Sequence, residues 1–486
     1  MSCREDNMEM NAIKNEIDIK LPMKSVISTL IILAVLVALA GASTHYIPAG
    51  QYIDVVRDGQ TVKVYQQVEP APVPVWKIAL APFMALTGKN GAKIIVIFAM
   101  IVILGGSFSI LIKTGVINEM LARLESAFSD RKTMLLALCA FGCAFLCSTF
   151  GMMEEFLPVL IIFIPFAIRM GWDDMTGFAT ILMMVGVGFA SATFNPFTVG
   201  VAQGLADLPL FSGLGLRVVL FIVVVGLSIL YIVRYARKIE NHPEKSITYG
   251  EGNPFQEQAD QEIAIGQVPN AKAIMFLLLG CFLVLATAVG VGTKIKIVGD
   301  LIMIILLLVF LVLGFGAGLL SGAGLKKTLK LFVTGLGTFS PAIPVIMLAF
   351  SVSYLVEIGL VMDTILHFIA INLSQFGEHG GAIILFFSQM AINFFVPSGS
   401  GQAALTIPIL APLGDIIGVS RQTVVLAYQM GDGFSNMLWP THPLLMIGLG
   451  FAGIRYTKWM RWSLPLHLLI MLICIGFLIL AVEIGY

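Results

Sequence analysis

Charge is what this chain has least of. Only 12% of its 486 residues are charged, against about a quarter in an ordinary soluble protein. The two signs balance to a formal net charge of zero. No basic surplus is available to hold nucleic acid, and none is expected as a partner. Cysteine is also sparse, six in all, with no metal or redox spacing. Cys139, Cys143 and Cys147 share one helix face, where small residues at a helix contact explain them better than a metal site. No HExxH, no Ser/His pair of recognisable spacing and no Walker A sequence occurs. That argues against an intramembrane enzyme and a primary pump. Residues 1–23 are too polar and acidic for a signal peptide and read as a cytosolic tail. Nothing implies a cofactor.

What the chain has in abundance is apolar sequence. It is 58% hydrophobic with a mean hydropathy of +0.94. The runs are long enough to cross a bilayer at about 20 residues each. An all-α polytopic membrane protein follows. Against that background the stretch Phe394 to Pro443 is unusual. It carries Ser398, Ser400, Gln402, Thr406, Asp415, Asp432, Ser435, Asn436, Thr441 and His442, broken up by Pro and Gly. Polar groups and helix breakers at membrane depth are tolerated only where protein or a water-filled cavity satisfies the backbone. A second stretch, Phe145 to Thr198, repeats the order of features: Pro165, Gly171 and Thr176 fall on Pro412, Gly418 and Thr423. Two re-entrant helical hairpins and two interrupted transmembrane helices are predicted, the layout of a secondary transporter.

In order, the first half covers 24–235. It has spans at Lys24–His45 and Ala92–Ile112, separated by a polar excursion, Tyr46–Lys89. Strand-like alternation marks Tyr52–Val64, and an interfacial segment lies at Trp76–Leu86. Thr114–Lys132 is amphipathic, with Val116, Met120, Leu121, Leu124 and Phe128 on one face and Glu119, Arg123, Glu125 and Arg131 elsewhere. The hairpin 133–170 is too short for two full spans of about 20 residues plus a turn. Met175–Leu205 is a span interrupted at Thr193–Thr198, and Leu214–Tyr235 is a clean span. A polar linker, 236–271, carries Glu240, Glu244, Glu251, Glu257, Asp260 and Glu262. The second half, 272–486, has spans at Lys272–Val291, Asp300–Leu320 and Phe339–Ile358, with Lys326, Lys327 and Lys330 on a loop. An interfacial Val361–Phe376, the hairpin 380–418, the interrupted span Arg421–Phe451 and a last span Ser463–Ile484 complete it.

With the N-terminus and linker cytosolic, Arg234–Lys238, Lys326–Lys330 and Arg455–Arg461 all fall inside, which satisfies the positive-inside rule. The hairpins then open on opposite sides, so the two halves are inverted repeats, and the C-terminus is expected in the periplasm. The first half is one span short, and its Tyr46–Lys89 excursion occupies the missing place.

The candidate binding residues sit at the tips and breaks. Glu154 and Glu155, with Ser148 and Thr149, belong to the first tip. A buried carboxylate in a membrane marks a cation, proton or ligand site; the plain alternative is a surface loop. Ser398, Ser400 and Gln402 lie where a half-helix begins, and its free N–H groups favour a carboxylate; close helix packing is the alternative. Thr193, Asn195 and Thr198 at the first break, and Asp432 and Ser435 at the second, could hold a coupling cation, Na⁺ or H⁺. Asn436 and Thr441 complete the candidate substrate set. His442 is either a proton relay or a structural histidine. Arg169, Arg421 and Asp415 end hairpin arms and read as anchors.

The motifs STFGMMEEFLP, ATFNPFTVGVAQ, LPLFSG, VPSGSGQAALTIPILAPLGD and MGDGFSN resemble the YfcC-type branch of the anaerobic four-carbon dicarboxylate carrier family, within the ion transporter superfamily. The resemblance runs over nearly the whole chain from Lys24. It implies a scaffold and a moving transport domain with elevator-type alternating access, in the bacterial inner membrane, as a homodimer. It implies either four-carbon dicarboxylates or basic amino acids as substrates. The tips depart from the Ser-Asn-Thr of sodium–dicarboxylate relatives. Two acidic residues would repel a dianion and attract a cationic or zwitterionic amino acid. The expected function is secondary active transport of a small amino acid, basic in one form of the reading; a dicarboxylate carrier is the second reading and a channel the third.

Overall fold

A computed structural model describes residues 23–57, 60–250, 255, 268–292, 295, 301–338, 340–373 and 375–486. The N-terminal tail, Asp300 and the linker acids Glu251, Glu257, Asp260 and Glu262 lie outside the described residues. The chain is an all-α polytopic membrane protein with one small ribbon.

The first half starts with α1 (Met23–Ser43). The excursion is an antiparallel ribbon of β1 (Gly50–Arg57) and β2 (Gln60–Gln67), with Tyr52 opposite Tyr65, then α2 (Val75–Met84). Next come α3 (Gly91–Lys113) and the amphipathic α4 (Val116–Phe128). On α4 Glu119, which the spacing places off the apolar face, is nevertheless not exposed. It is buried and paired with Arg123 at 2.7 Å. The first hairpin is α5 (Lys132–Phe150) and α6 (Leu157–Arg169). The first interrupted helix is α7 (Asp174–Ala190), a break, a π-turn over Pro196–Gly200 and α8 (Val201–Leu205). The long α9 (Leu214–Asn241) ends the half.

The second half has α10 (Ala271–Gly292), α11 (Ile302–Leu320), α12 (Gly324–Gly335) and α13 (Ala342–Ile358). Lys326, Lys327 and Lys330 therefore lie on the helix α12, not on a loop. Thr328 and Leu331 face inward and are buried while the lysines face outward. The chain turns by 72° into α14 (Met362–Leu373), the expected interfacial helix. Hairpin α15 (Glu378–Phe395) and α16 (Gly399–Ile417), the interrupted pair α17 (Arg421–Ser435) and α18 (Pro443–Ala452), and α19 (Tyr456–Glu483) follow.

The packing is crosswise. α1 and α2 pack on α13, whereas α11 and α12 pack on α3. α2 is thus the counterpart of α12, and the unmatched element is α10, which packs on α11. The excursion does not stand in for a missing span. A second group forms around α7 and α17, which lie against each other. α5 packs on α7, α15 and α16 pack on α17, and α9 and α19 flank them. Glycine allows the closest approaches: a Cβ on Gly433 would meet Ala190, and one on Gly431 would meet the backbone of Phe386.

α9 provides a ruler for direction. Its 28 residues extend about 42 Å at 1.5 Å per residue. At its linker end, Glu240 pairs with Lys132 at 3.7 Å, and the Lys132 ammonium also donates to Met170 O at 2.9 Å. Both ends of the first hairpin are therefore on the linker side. At the other end of α9, Tyr486 Oη donates to Gly213 O at 2.6 Å, and nearby His379 bonds Glu483 at 2.8 Å. Glu378, at the start of the second hairpin, lies against Gly418 at its end. The second hairpin thus opens on the opposite side. The tips approach from opposite faces and meet, so neither hairpin crosses the membrane completely. The halves are inverted repeats.

Candidate functional site

The first tip is made by a left-handed turn. Gly151 has φ 72°, and a Cβ there would run into the Asn195 side chain. A residue with a side chain is excluded by conformation and by space. The tip is tied to the first break. Ser148 O accepts from the Thr193 and Phe194 amides, at 3.0 and 3.3 Å. Ser148 Oγ donates to Ser191 O at 3.2 Å and accepts from Thr193 N at 3.0 Å. Asn195 Oδ1 caps the next helical segment at Phe197 N, 2.9 Å away. The buried Arg217 guanidinium donates to Thr193 O at 3.4 Å.

The second tip sits on the second break in the same manner. Asn393 Nδ2 donates to Ser435 Oγ and Asn436 Oδ1, each at 2.7 Å, and to Asp432 O at 2.9 Å. Gln402 Nε2 donates to Gln389 O at 2.9 Å and Gln389 Oε1 at 2.7 Å, and Thr406 joins them at 3.1 Å. Tyr428 Oη donates to Gly399 O at 2.6 Å. The Asp432 carboxylate is fully buried beneath Gly399, and neither oxygen has a protein partner. Gly399 also touches Thr198 of the first half.

Where the two tips converge there is a cavity of about 250 Å³. Glu154 and Glu155 line it from the first tip, Ser398, Gly399 and Ser400 from the second. Thr198 lines it at the first break, and Asn436 and His442 at the second. Glu155 Oε2, Thr198 Oγ1 and His442 Nδ1 are buried without partners. Lys93, near the start of α3, completes the wall and donates to Ser398 Oγ at 3.1 Å. A crevice shared by Lys93, Glu154 and His442 continues between α3, α6, α13 and α18. The cavity can therefore offer carboxylates from the first hairpin, a helix N-terminus from the second and an ammonium from α3. Among the described residues no group of three His, Cys, Asp or Glu side chains converges as a metal site would require.

Of the residues predicted from sequence, Glu154, Glu155, Thr198, Ser398, Ser400, Asn436 and His442 come together here. The rest do not line the cavity. Ser148, Thr193 and Asn195 are engaged in joining tip to break, and Gln402 faces Gln389 inside the second hairpin. Ser435 is held by Asn393. Thr149, Thr441 and Asp432 lie behind the wall with side-chain oxygens that have no partner. A coupling cation on Thr193 would also face the Arg217 guanidinium. The anchors are as expected: Arg421 pairs with Asp415 at 2.9 Å and Asp207 at 2.8 Å, and Arg169 with Glu125 at 3.7 Å. Sequence reasoning missed Lys93, Arg217, Gln389 and Asn393. The last two leave a readable signal, since polar residues four apart on an apolar arm share one helix face.

A family model described as C4-dicarboxylate anaerobic carrier matches residues 23–483. A protein of Escherichia coli (strain K12) named "Putative basic amino acid antiporter YfcC" is 33% identical over 401 residues, 78% of this chain and 76% of its own. An "Uncharacterized protein" of Haemophilus influenzae is 27% identical over 399 residues, 80% of this chain and 75% of its own. The crystal structure of the Alcanivorax borkumensis YdaH transporter covers 96% of this chain and 99% of its own, at 16% identity and a TM-score of 0.47.

Proposed function

The chain belongs to the C4-dicarboxylate anaerobic carrier family, and from that premise we propose that it is a secondary transporter exchanging a small amino acid with a basic side chain. It is a transporter and not an enzyme. The observation that carries the substrate reading is the pair Glu154 and Glu155 on the wall of the cavity between the tips. Two carboxylates in a site of low dielectric favour a cation and disfavour a dianion. The name of the Escherichia coli relative agrees with this.

Exchange, rather than sodium coupling, fits the first break. Its Thr193 carbonyl accepts from Arg217, which holds a fixed positive charge where a coupling cation would otherwise sit. The two packing groups support elevator-type movement, with α7, α17 and the hairpins moving past α3 and α13. Placement in a bacterial inner membrane with the linker cytosolic, and assembly as a homodimer, belong to the same proposal. A four-carbon dicarboxylate is the second reading, favoured by Lys93 and by the description of the family.

Counterflow in proteoliposomes tests the substrate reading. The wild type should accumulate labelled arginine against internal arginine, and Glu154→Gln with Glu155→Gln should abolish it. Undiminished arginine exchange in the double variant would contradict the role given to both residues.

A further inference from the structure

Lys93 is the one lysine or arginine among the described residues that line the cavity between the tips. It rises from α3, whose main packing partners are α11 and α12. Its ammonium nevertheless reaches the second tip, and donates to Ser398 Oγ at 3.1 Å. Among the described residues that is its one hydrogen bond, and it forms no ion pair.

The location is electrostatically peculiar. Ser398 is the residue before α16, a helix of 19 residues. The N-terminus of such a helix carries a partial positive charge, so a cation there is disfavoured and an anion favoured. An ammonium and a helix N-terminus that share one neutral hydroxyl repel each other, and the Asp432 carboxylate buried beneath Gly399 is hydrogen-bonded to neither. Both are satisfied if a carboxylate lies between them. The same wall holds two unpartnered polar groups of buried residues, Thr198 Oγ1 at 1% exposure and His442 Nδ1 at 7%. Thr198 lies against Gly399 through its methyl group, which places the residue and its unpartnered hydroxyl beside the same corner.

We propose that Lys93 recognises the carboxylate of the transported molecule, together with the N-terminus of α16 and the Thr198 hydroxyl. Glu154 and Glu155 would then take its cationic end. Lys93 thereby sets specificity: it selects an amino acid over the amine that differs from it only by loss of the carboxylate. Since Lys93 comes from the other packing group, the bound carboxylate also bridges that group to the second hairpin. The proposal rests on the amino-acid reading for the position of the cationic end only.

The test compares arginine with agmatine, its decarboxylated form. Ligand-induced thermal stabilisation of the purified full-length protein is read alongside inhibition of arginine counterflow. A charge-assisted hydrogen bond lost on Lys93→Met should weaken arginine by about ten- to a hundredfold and leave agmatine unchanged. Lys93→Arg keeps the charge and should retain most of the discrimination; it also serves if the Met variant does not fold. Equal weakening of both ligands would mean that Lys93 only tunes Glu154 and Glu155, and overturns the proposal. So would no effect on either. If the wild type binds succinate and neither arginine nor agmatine, the amino-acid reading falls. Lys93 then stands if Lys93→Met abolishes succinate binding, and falls if it does not.

Discussion

Thr193 donates its amide hydrogen to Ser148 O at 3.0 Å, which joins the first hairpin tip to the break in the helix beside it. The joint leaves no room at Gly151, which is held at φ 72° against Asn195. Gly151→Ala should cost about 1–2 kcal/mol from the left-handed conformation alone, with overlap added. The expected result is a lowered melting temperature and lost transport in protein that still reaches the membrane. Unchanged stability and transport would contradict the geometry of this tip.

Asn393 does the equivalent work in the second half. Its single amide bonds three acceptors on α17 and the residue after it. Asn393→Ala takes the donor from Asn436 Oδ1 outright, at about 1–3 kcal/mol if no water replaces it, while Ser435 Oγ keeps its bond to Gly431 O and Asp432 O still accepts from Ser435 Oγ. Thermal unfolding in detergent should show a destabilisation larger than that of Gln402→Ala. The Gln402 Nε2 has both its partners on one residue, Gln389.

The inverted arrangement can be read by labelling. Thr133 is at the linker end of α9, where Arg237 reaches it, and Glu378 is at the opposite end. In a background without cysteine, Thr133→Cys and Glu378→Cys should react with an impermeant maleimide from opposite faces of the membrane. Labelling of both from one face would refute the inversion.

The ribbon is held to α14 by a small set of contacts. Tyr52 N donates to Asp363 at 2.9 Å, Tyr65 Oη bonds Thr364 at 2.9 Å, and the Tyr65 ring stacks on His367 at 3.8 Å. Burial, then Asp363 and Tyr65, push the Tyr52 hydroxyl up to about 12. A phenol raised in the folded state contributes stability below its ordinary value near 10 and loses it as pH rises through about 12. Ribbon docking should therefore loosen over that alkaline range, seen as faster proteolysis between β1 and β2. Asp363→Ala should give fast proteolysis already at neutral pH, and Tyr52→Phe should remove the alkaline step.

Much of this was legible in the sequence because the membrane enforces it. Pro196, Pro397 and Pro443 in apolar surroundings mark places where helices stop at depth, and the polar residues beside them mark what satisfies the freed backbone. Glu154, Glu155, Ser398 and Asn436 were found that way. Other residues were not, for reasons of chemistry. A lysine such as Lys93 near the end of a span ordinarily snorkels to the interface, and nothing local says that it points inward instead. Ser148 and Gln402 looked like ligands, since a polar group that binds substrate and one that binds backbone have the same sequence signal. The charge of Lys326, Lys327 and Lys330 hides the helical spacing of Thr328 and Leu331, so the sequence there reads as a loop.

The most direct measurement is counterflow into proteoliposomes loaded in turn with arginine, ornithine, a neutral amino acid, succinate or malate, with and without Na⁺. Accumulation with arginine and ornithine, indifferent to Na⁺, is the predicted result. Accumulation with succinate and malate alone would contradict the account, because Glu154 and Glu155 could not then be the charged wall of the site.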